Sequence, residues 1–188
     1  MGNTLLIPFA KDEYLRFQWI QVLAKWSAHF IRPDTVFVGD SITASGRTFN
    51  NWRDINLGGS GLETHQIKSV LTVADHWHPH RISIMAGTND ASRAAIDAPS
   101  IRADWQEICT RENLVITLPP PTIDPAMNAR LDEIRAIVRD ACPGKPMIDL
   151  SFMADATGRI QTRYQADGIH LSPEGVSLWK QALAHAGI

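Results

Sequence analysis

The sequence predicts an α/β protein, a three-layer α/β/α sandwich with about five parallel strands. Short apolar runs alternate with helical segments along the 188 residues, without internal repeats. Continuous apolar runs are typical of parallel strands that are buried on both faces. Right-handed crossover helices then cover the two faces of the sheet. We expect residues 1–188 to form a single domain, on which residues 1–32 pack as an N-terminal helical extension.

The predicted elements follow one another in regular order along the chain. TVFVG is the first strand, and the five predicted strands span residues 35–39, 54–57, 81–86, 113–118 and 147–150. Helical segments lie at residues 11–30, 62–77, about 99–109 and about 125–141, and a last helix starts at Ser172-Pro173-Glu174. Each boundary has a local cause. Three prolines follow the fourth strand, and Ser172-Pro173 is a typical helix start.

The composition places the chain among ordinary globular proteins. Hydrophobic residues make up 44% and charged residues 20%, and the formal net charge is −2. A charge without basic blocks indicates no nucleic-acid partner. We see no apolar run near the roughly 20 residues that span a bilayer, so no membrane association is expected. The N-terminal residues do not resemble a signal peptide, and a cytoplasmic location is expected.

The chain contains two cysteines, Cys109 and Cys142, at a spacing that matches no metal site. We expect both to be buried thiols in a reducing compartment. No metal or cofactor is expected. The sequence leaves the oligomeric state open.

Small polar residues follow three of the predicted strands. The chain reads Gly39-Asp40-Ser41 after the first strand, NLGGSG after the second and Gly87-Thr88-Asn89-Asp90 after the third. Ligands bind at the carboxyl ends of the strands in open parallel sheets. Ser41 is therefore either a turn residue, as Gly-Asp-Ser alone would suggest, or a nucleophile.

A serine hydroxyl needs a base to remove its proton, and the base needs a third group to hold its tautomer. Asp167 precedes His170 by three residues in ADGIHLSPEG, just before the last helix. That helix can pack beside the first strand and so bring His170 to Ser41. The sequence also offers hydrogen-bond donors that could stabilise a negative oxygen in the intermediate. They are the Ser41 N–H, an N–H from Gly58, Gly59 or Gly61, and the Asn89 amide.

The four motifs together resemble the SGNH hydrolases, also called GDSL-type esterases. Gly39-Asp40-Ser41-Ile42, Asn56 to Gly61, Gly87 to Asp90 and Asp167 to His170 occur in the family's order, from about residue 34 onward. The resemblance implies a flavodoxin-like fold. It also implies that Ser41 is the nucleophile, His170 the base and Asp167 its orienting acid. The oxyanion hole would consist of Ser41, Gly61 and Asn89, with Gly61 selected by its position in the family's second motif.

The resulting hypothesis is a serine esterase that acts on a small-molecule ester through an acyl-enzyme. Small acyl groups, acetyl above all, are expected because we see no long apolar insertion that could act as a lid; the alcohol part could be a carbohydrate. Three alternatives stay open. They are a thioesterase or lysophospholipase of the same family, an inactive binding module, and a metal-dependent hydrolase that uses His76, His78 and His80.

Several other residues have structural interpretations. We expect Asp40 to support the turn and Asp90 to cap the helix or turn that follows the third strand. His76, His78 and His80 precede the third strand, at the edge opposite the candidate site, where solvated loop histidines are common. Trp52 lies between the first two motifs and is a candidate for lining the acyl pocket.

Overall fold

The computed structural model describes residue 27 and residues 29–46 and 54–188. Five parallel strands form one sheet in the order β2-β1-β3-β4-β5. They are β1 (Thr35–Gly39), β2 (Asp54–Asn56), β3 (Arg81–Met85), β4 (Leu114–Thr117) and β5 (Met147–Ile148). This order is the flavodoxin-like one. The predicted α/β class and the number of strands are confirmed.

Helices connect the strands and cover the sheet. They are α1 (Ser41–Ser45), α2 (Thr64–Asp75), α3 (Thr88–Ser92), α4 (Ala98–Ile108), α5 (Pro125–Ala141) and α6 (Pro173–His185). Single 3-10 turns lie at Ser151–Met153 and Thr162–Tyr164. Most of the helix predicted for residues 11–30, and with it most of the N-terminal extension, lies outside the described residues. No helix in the described part of the chain is long and apolar enough to cross a bilayer.

Alternate side chains of β1 point into two separate cores. Val36 and Val38 are buried with the apolar sides of α2, α4 and α5 on one face of the sheet. Phe37 is buried on the other face with Trp179 of α6. Full burial of a large apolar side chain contributes about 1.5–3 kcal/mol to stability. The last helix and the first strand therefore belong to one apolar core on the second face of the sheet.

The predicted elements differ from the observed ones mainly in short segments. Helices α1 and α3 were not predicted, because five residues are too few to show a helical period. Helix α2 starts at Thr64 and not at Leu62, since the Gln66 side chain accepts the Glu63 N–H at 2.9 Å and closes the helix start there. Strand β5 ends at Ile148 because a 3-10 turn begins just after Leu150.

The cysteine prediction is wrong. Cys109 and Cys142 form a disulfide, with Cα atoms 5.5 Å apart. They stand at the carboxyl ends of α4 and α5, which pack side by side on the same face of the sheet. A separation of 33 residues conceals this proximity in the sequence. The expectation of a reducing compartment was based on free thiols, and the disulfide removes that basis.

The disulfide generates a prediction about stability. Closing a loop of this length stabilises a fold by about 3–4 kcal/mol in the chain-entropy model. We expect the Cys109→Ala/Cys142→Ala variant to unfold roughly 10 °C below the unmodified protein in a thermal scan. Iodoacetamide should alkylate neither cysteine of the denatured, unreduced chain, as measured by mass spectrometry. Incorporation of two alkyl groups would show free thiols and contradict the disulfide.

Candidate active site

Ser41 stands where the first strand passes into a short helix. It is the first residue of α1, and Asp40 is the helix N-cap. The Asp40 Oδ1 atom accepts the Ile42 N–H at 2.9 Å. A side-chain acceptor at this position satisfies one of the free amides of a helix start. Asp40 therefore supports the turn, as expected, and Ser41 lies at the carboxyl edge of the sheet.

The structure brings Ser41 together with the two distant residues that the sequence singled out. The His170 Nε2 atom lies 2.8 Å from Ser41 Oγ, across 129 residues of sequence. The other ring nitrogen, Nδ1, lies 2.7 Å from Asp167 Oδ2. Both distances are those of hydrogen bonds. Serine, imidazole and carboxylate thus form one continuous hydrogen-bonded chain.

The charge state of Asp167 decides the tautomer of His170. Hydrogen bonds from the His170 backbone and side chain, and from the Ile169 backbone, lower the pKa of Asp167 to about 2. The carboxylate is therefore ionised near neutral pH and can only accept hydrogen bonds. The proton of a neutral imidazole then resides on Nδ1, which leaves Nε2 free to accept the Ser41 O–H. This is the arrangement that a general base for serine requires.

A tight turn holds the acid and the base together. Asp167 Oδ1 accepts the backbone N–H groups of Ile169 and His170 at 3.1 and 2.9 Å. Gly168 adopts a φ of 97°, which side chains rarely tolerate, and a Cβ there would lie 2.5 Å from the Ile123 side chain. Gln165 accepts the Gly168 N–H at 2.6 Å. Local contacts thus fix the spacing of Asp167 and His170.

Asn89 is held beside the glycine loop that follows β2. It lies in α3, after the end of β3, and its Nδ2 atom donates to the Leu62 carbonyl at 2.9 Å. A side-chain amide carries two hydrogens, so one of them stays free for another acceptor. Because Leu62 follows Gly61 directly, this bond also holds the Asn89 amide near the Gly61 backbone.

Of the three glycines in the loop, the amides of two are already in use. The Gly58 N–H donates to Asn56 Oδ1 at 2.8 Å, and the Gly59 N–H donates to the Gly39 carbonyl at 3.0 Å. Gly61 has a φ of 73°, and no acceptor among the described residues takes its N–H. The hydrogen bonds therefore leave Gly61 as the best candidate for an oxyanion donor.

The structure gives roles to two polar residues that differ from the sequence expectation. Asn56 was not assigned a function, but its Nδ2 atom donates to the Thr43 carbonyl at 2.8 Å and so connects the glycine loop to α1. Asp90 lies in the first turn of α3 and also contacts a second helix. Its Oδ2 atom accepts the N–H and the hydroxyl of Thr64, both at 3.0 Å, at the start of α2. Burial raises the pKa of the Asp90 carboxyl.

Of the remaining candidates, the three histidines lie away from Ser41. His76, His78 and His80 are half-buried or exposed around the start of β3, at the opposite edge of the sheet from Ser41. Within residues 29–46 and 54–188, no group of three or more histidine, cysteine or acidic side chains is arranged to hold a metal ion. Trp52 lies outside the described residues.

Solved structures of low sequence identity share this fold. A GDSL-like lipase from Bacteroides thetaiotaomicron is 22% identical, with a TM-score of 0.71 over 90% of this chain and 99% of that one. An α/β-hydrolase enzyme from the metagenome of Lake Arreo is 18% identical, with a TM-score of 0.66 over 85% and 97%. A catalytic mutant of an acetylxylan esterase from Geobacillus stearothermophilus is 15% identical, with a TM-score of 0.66 over 82% and 94%.

The comparison of sequences gives the family. No curated protein matches the chain. The model of the GDSL-like lipase/acylhydrolase family matches residues 37–178, which begin in β1 and end in α6. That range includes Ser41, Asn89, Asp167 and His170, the residues that meet at the carboxyl edge of the sheet. The chain belongs to the GDSL-like lipase/acylhydrolase family and is a hydrolase that cleaves ester bonds.

Proposed function

We propose that this protein is a serine esterase that removes small acyl groups, acetyl above all, from the hydroxyl groups of a polar alcohol such as a carbohydrate. The observation that carries the proposal is the hydrogen-bonded chain from Ser41 through His170 to Asp167. Such a chain activates a serine hydroxyl for attack on an acyl carbon.

In the proposed reaction, Ser41 Oγ attacks the ester carbonyl carbon while His170 Nε2 takes the hydroxyl proton. The carbonyl oxygen becomes negative and accepts hydrogen bonds from the Ser41 and Gly61 N–H groups and the Asn89 amide. His170 then passes its proton to the leaving alcohol oxygen, and the acyl group stays on Ser41. Water repeats the sequence, which releases the carboxylic acid and restores the serine.

Two observations support a small acyl group. The chain of 188 residues has no long apolar insertion that could form a lid or dock on lipid. A protein of the same fold is an acetylxylan esterase, although it is only 15% identical. Hydrolysis of thioesters or of lysophospholipids is the alternative, because it would use the same acyl-enzyme chemistry. The substrate that the enzyme prefers as acyl donor distinguishes these activities.

The role of Ser41 leads to the first activity prediction. Ser41→Ala should lower kcat for p-nitrophenyl acetate at least about 10³-fold, because no nucleophile remains. It should also abolish labelling by a fluorophosphonate probe, while the thermal midpoint stays the same. Ser45→Ala is the matched control, since Ser45 lies on the same helix and donates to the Ser41 carbonyl.

The control variant should keep both its activity and its labelling. Full turnover in Ser41→Ala would exclude this serine as the nucleophile. An unmodified protein that neither hydrolyses p-nitrophenyl acetate nor reacts with the probe would instead support an inactive binding module. Activity that survives EDTA and is lost in His170→Ala would exclude a metal-dependent hydrolase.

The role of Asn89 leads to a second prediction, for which the chain offers a close control. Asn89→Ala should lower kcat for p-nitrophenyl acetate about 10²–10³-fold, because one oxyanion donor is lost. Asn113 makes the same kind of bond, from Nδ2 to the Pro79 carbonyl at 2.9 Å, but at the opposite edge of the sheet. Asn113→Ala should therefore alter stability and leave kcat within about twofold. Equal losses of kcat in the two variants would contradict the role of Asn89.

The acyl preference leads to a third prediction. Among p-nitrophenyl esters, kcat/KM should be highest for acetate and should fall at least about tenfold by octanoate, because a small pocket excludes longer chains. Acetate release from acetylated xylan tests the alcohol part, with the matched acetyl thioester and a lysophospholipid as competing substrates. A maximum at octanoate, or a preference for the lysophospholipid, would overturn the small-acyl proposal.

A further inference from the structure

A buried polar cluster lies directly beneath the candidate nucleophile, and the reaction described above does not use it. It consists of Asp40, Thr43 and Thr88, whose side chains are at most 3% exposed. Asp40 Oδ2 and both threonine hydroxyls have no well-formed hydrogen bond among the described residues. Leaving a buried polar group without a partner destabilises the fold, so such atoms usually serve a purpose in a native structure.

The Thr88 hydroxyl is the natural partner of the Asp40 carboxyl. It is close enough to act on the carboxyl as a hydrogen-bond donor and to lower its pKa. Burial has the larger and opposite effect, and the pKa of Asp40 rises to about 6. A small shift of either side chain would complete the bond, because both atoms are buried and have no other partner among the described residues.

The positions of the two residues in the fold show which parts of the site this contact would connect. Strands β1 and β3 are neighbours, and Gly39 is paired with Met85 at their carboxyl ends. Asp40 follows one strand and precedes Ser41. Thr88 opens α3, which follows the other strand, and precedes Asn89. A bond between Asp40 and Thr88 therefore joins the two turns that present the candidate nucleophile and the candidate oxyanion donor.

We propose that Asp40 and Thr88 form a buried positioning pair that fixes Ser41 relative to the Asn89 amide. The inference rests on the proposed function, in which Ser41 attacks and Asn89 stabilises the resulting oxyanion. Positioning matters because both groups must reach the same carbonyl carbon and oxygen within hydrogen-bond distances. In this proposal the pair touches no reacting atom and acts through the residues that follow it in sequence.

Substitutions that remove one side of the pair test the inference. Thr88→Val removes the hydroxyl at nearly constant shape. Asp40→Ser keeps an acceptor that can cap α1 but lacks the second carboxylate oxygen. Each should lower kcat for p-nitrophenyl acetate about tenfold, the effect of one lost hydrogen bond, and leave KM within about twofold. The double variant should lose no more than either single one, since both remove the same contact.

Two control variants separate positioning from simple loss of stability. Thr88→Ser restores the hydroxyl and should recover at least half of kcat. Thr35→Val makes the same substitution at another buried threonine, at the far end of β1, and should leave kcat unchanged. If Thr88→Val keeps kcat within twofold at an unchanged thermal midpoint, the inference is wrong. It is also wrong if the two losses multiply to a hundredfold in the double variant.

A readout that does not depend on activity separates this inference from the proposed function. If the unmodified protein is inactive, the proposed function fails, but the pair can still be observed by carbon NMR of the Asp40 carboxyl, assigned from its absence in Asp40→Ser. Loss of a donor destabilises the ionised form, so the pKa of Asp40 should rise in Thr88→Val. His170, which also acts electrostatically on this carboxyl, is the same in both proteins. An unchanged pKa would overturn the pair.

Discussion

The parallel pairing of β1 with β3 is the constraint on which the rest of the site depends. Parallel strands end at the same edge, so the turns after β1 and β3 must be neighbours. Ser41 and Asn89 are 48 positions apart in the chain, yet each follows one of these paired strands within a few residues. The glycine loop after β2 adds a third turn at the same edge.

The site combines a rigid part with a locally determined part. Ser41 and Asn89 belong to turns that are anchored in the sheet and, on our proposal, joined beneath by a buried pair. Asp167 and His170 instead lie on a partly exposed turn whose geometry comes from its own hydrogen bonds. Helix α6 begins two residues after Leu171, belongs to the same apolar core as Phe37 of β1, and contacts β4 through the bond from Trp179 Nε1 to Thr117 Oγ1. The position of the helix therefore places the turn with Asp167 and His170 next to Ser41.

Much of the fold and of the site was predictable because short-range patterns encode it. Short apolar runs identified four of the five strands, since buried parallel strands carry little polar alternation. Strand β2 reads Asp54-Ile55-Asn56 and is polar at two of its three positions. Asp167 and His170 were predictable as a unit because three residues and one glycine suffice to close their turn. The contact of Asp90 with Thr64 was not predictable. The two residues belong to different elements, and neither spacing nor composition predicts their proximity.

The α/β class, the order of the elements and the residue types that carry the chemistry can be inferred from the sequence alone. These follow from local propensity and from motifs of a few residues. The packed fold is needed to show which glycine amide lacks an acceptor among the described residues, that Asn56 connects the glycine loop to α1, and that Cys109 meets Cys142. Each of these depends on contacts between separate elements. Such contacts form when helices and strands pack, and the separation of two residues along the chain does not predict how close they lie in the fold.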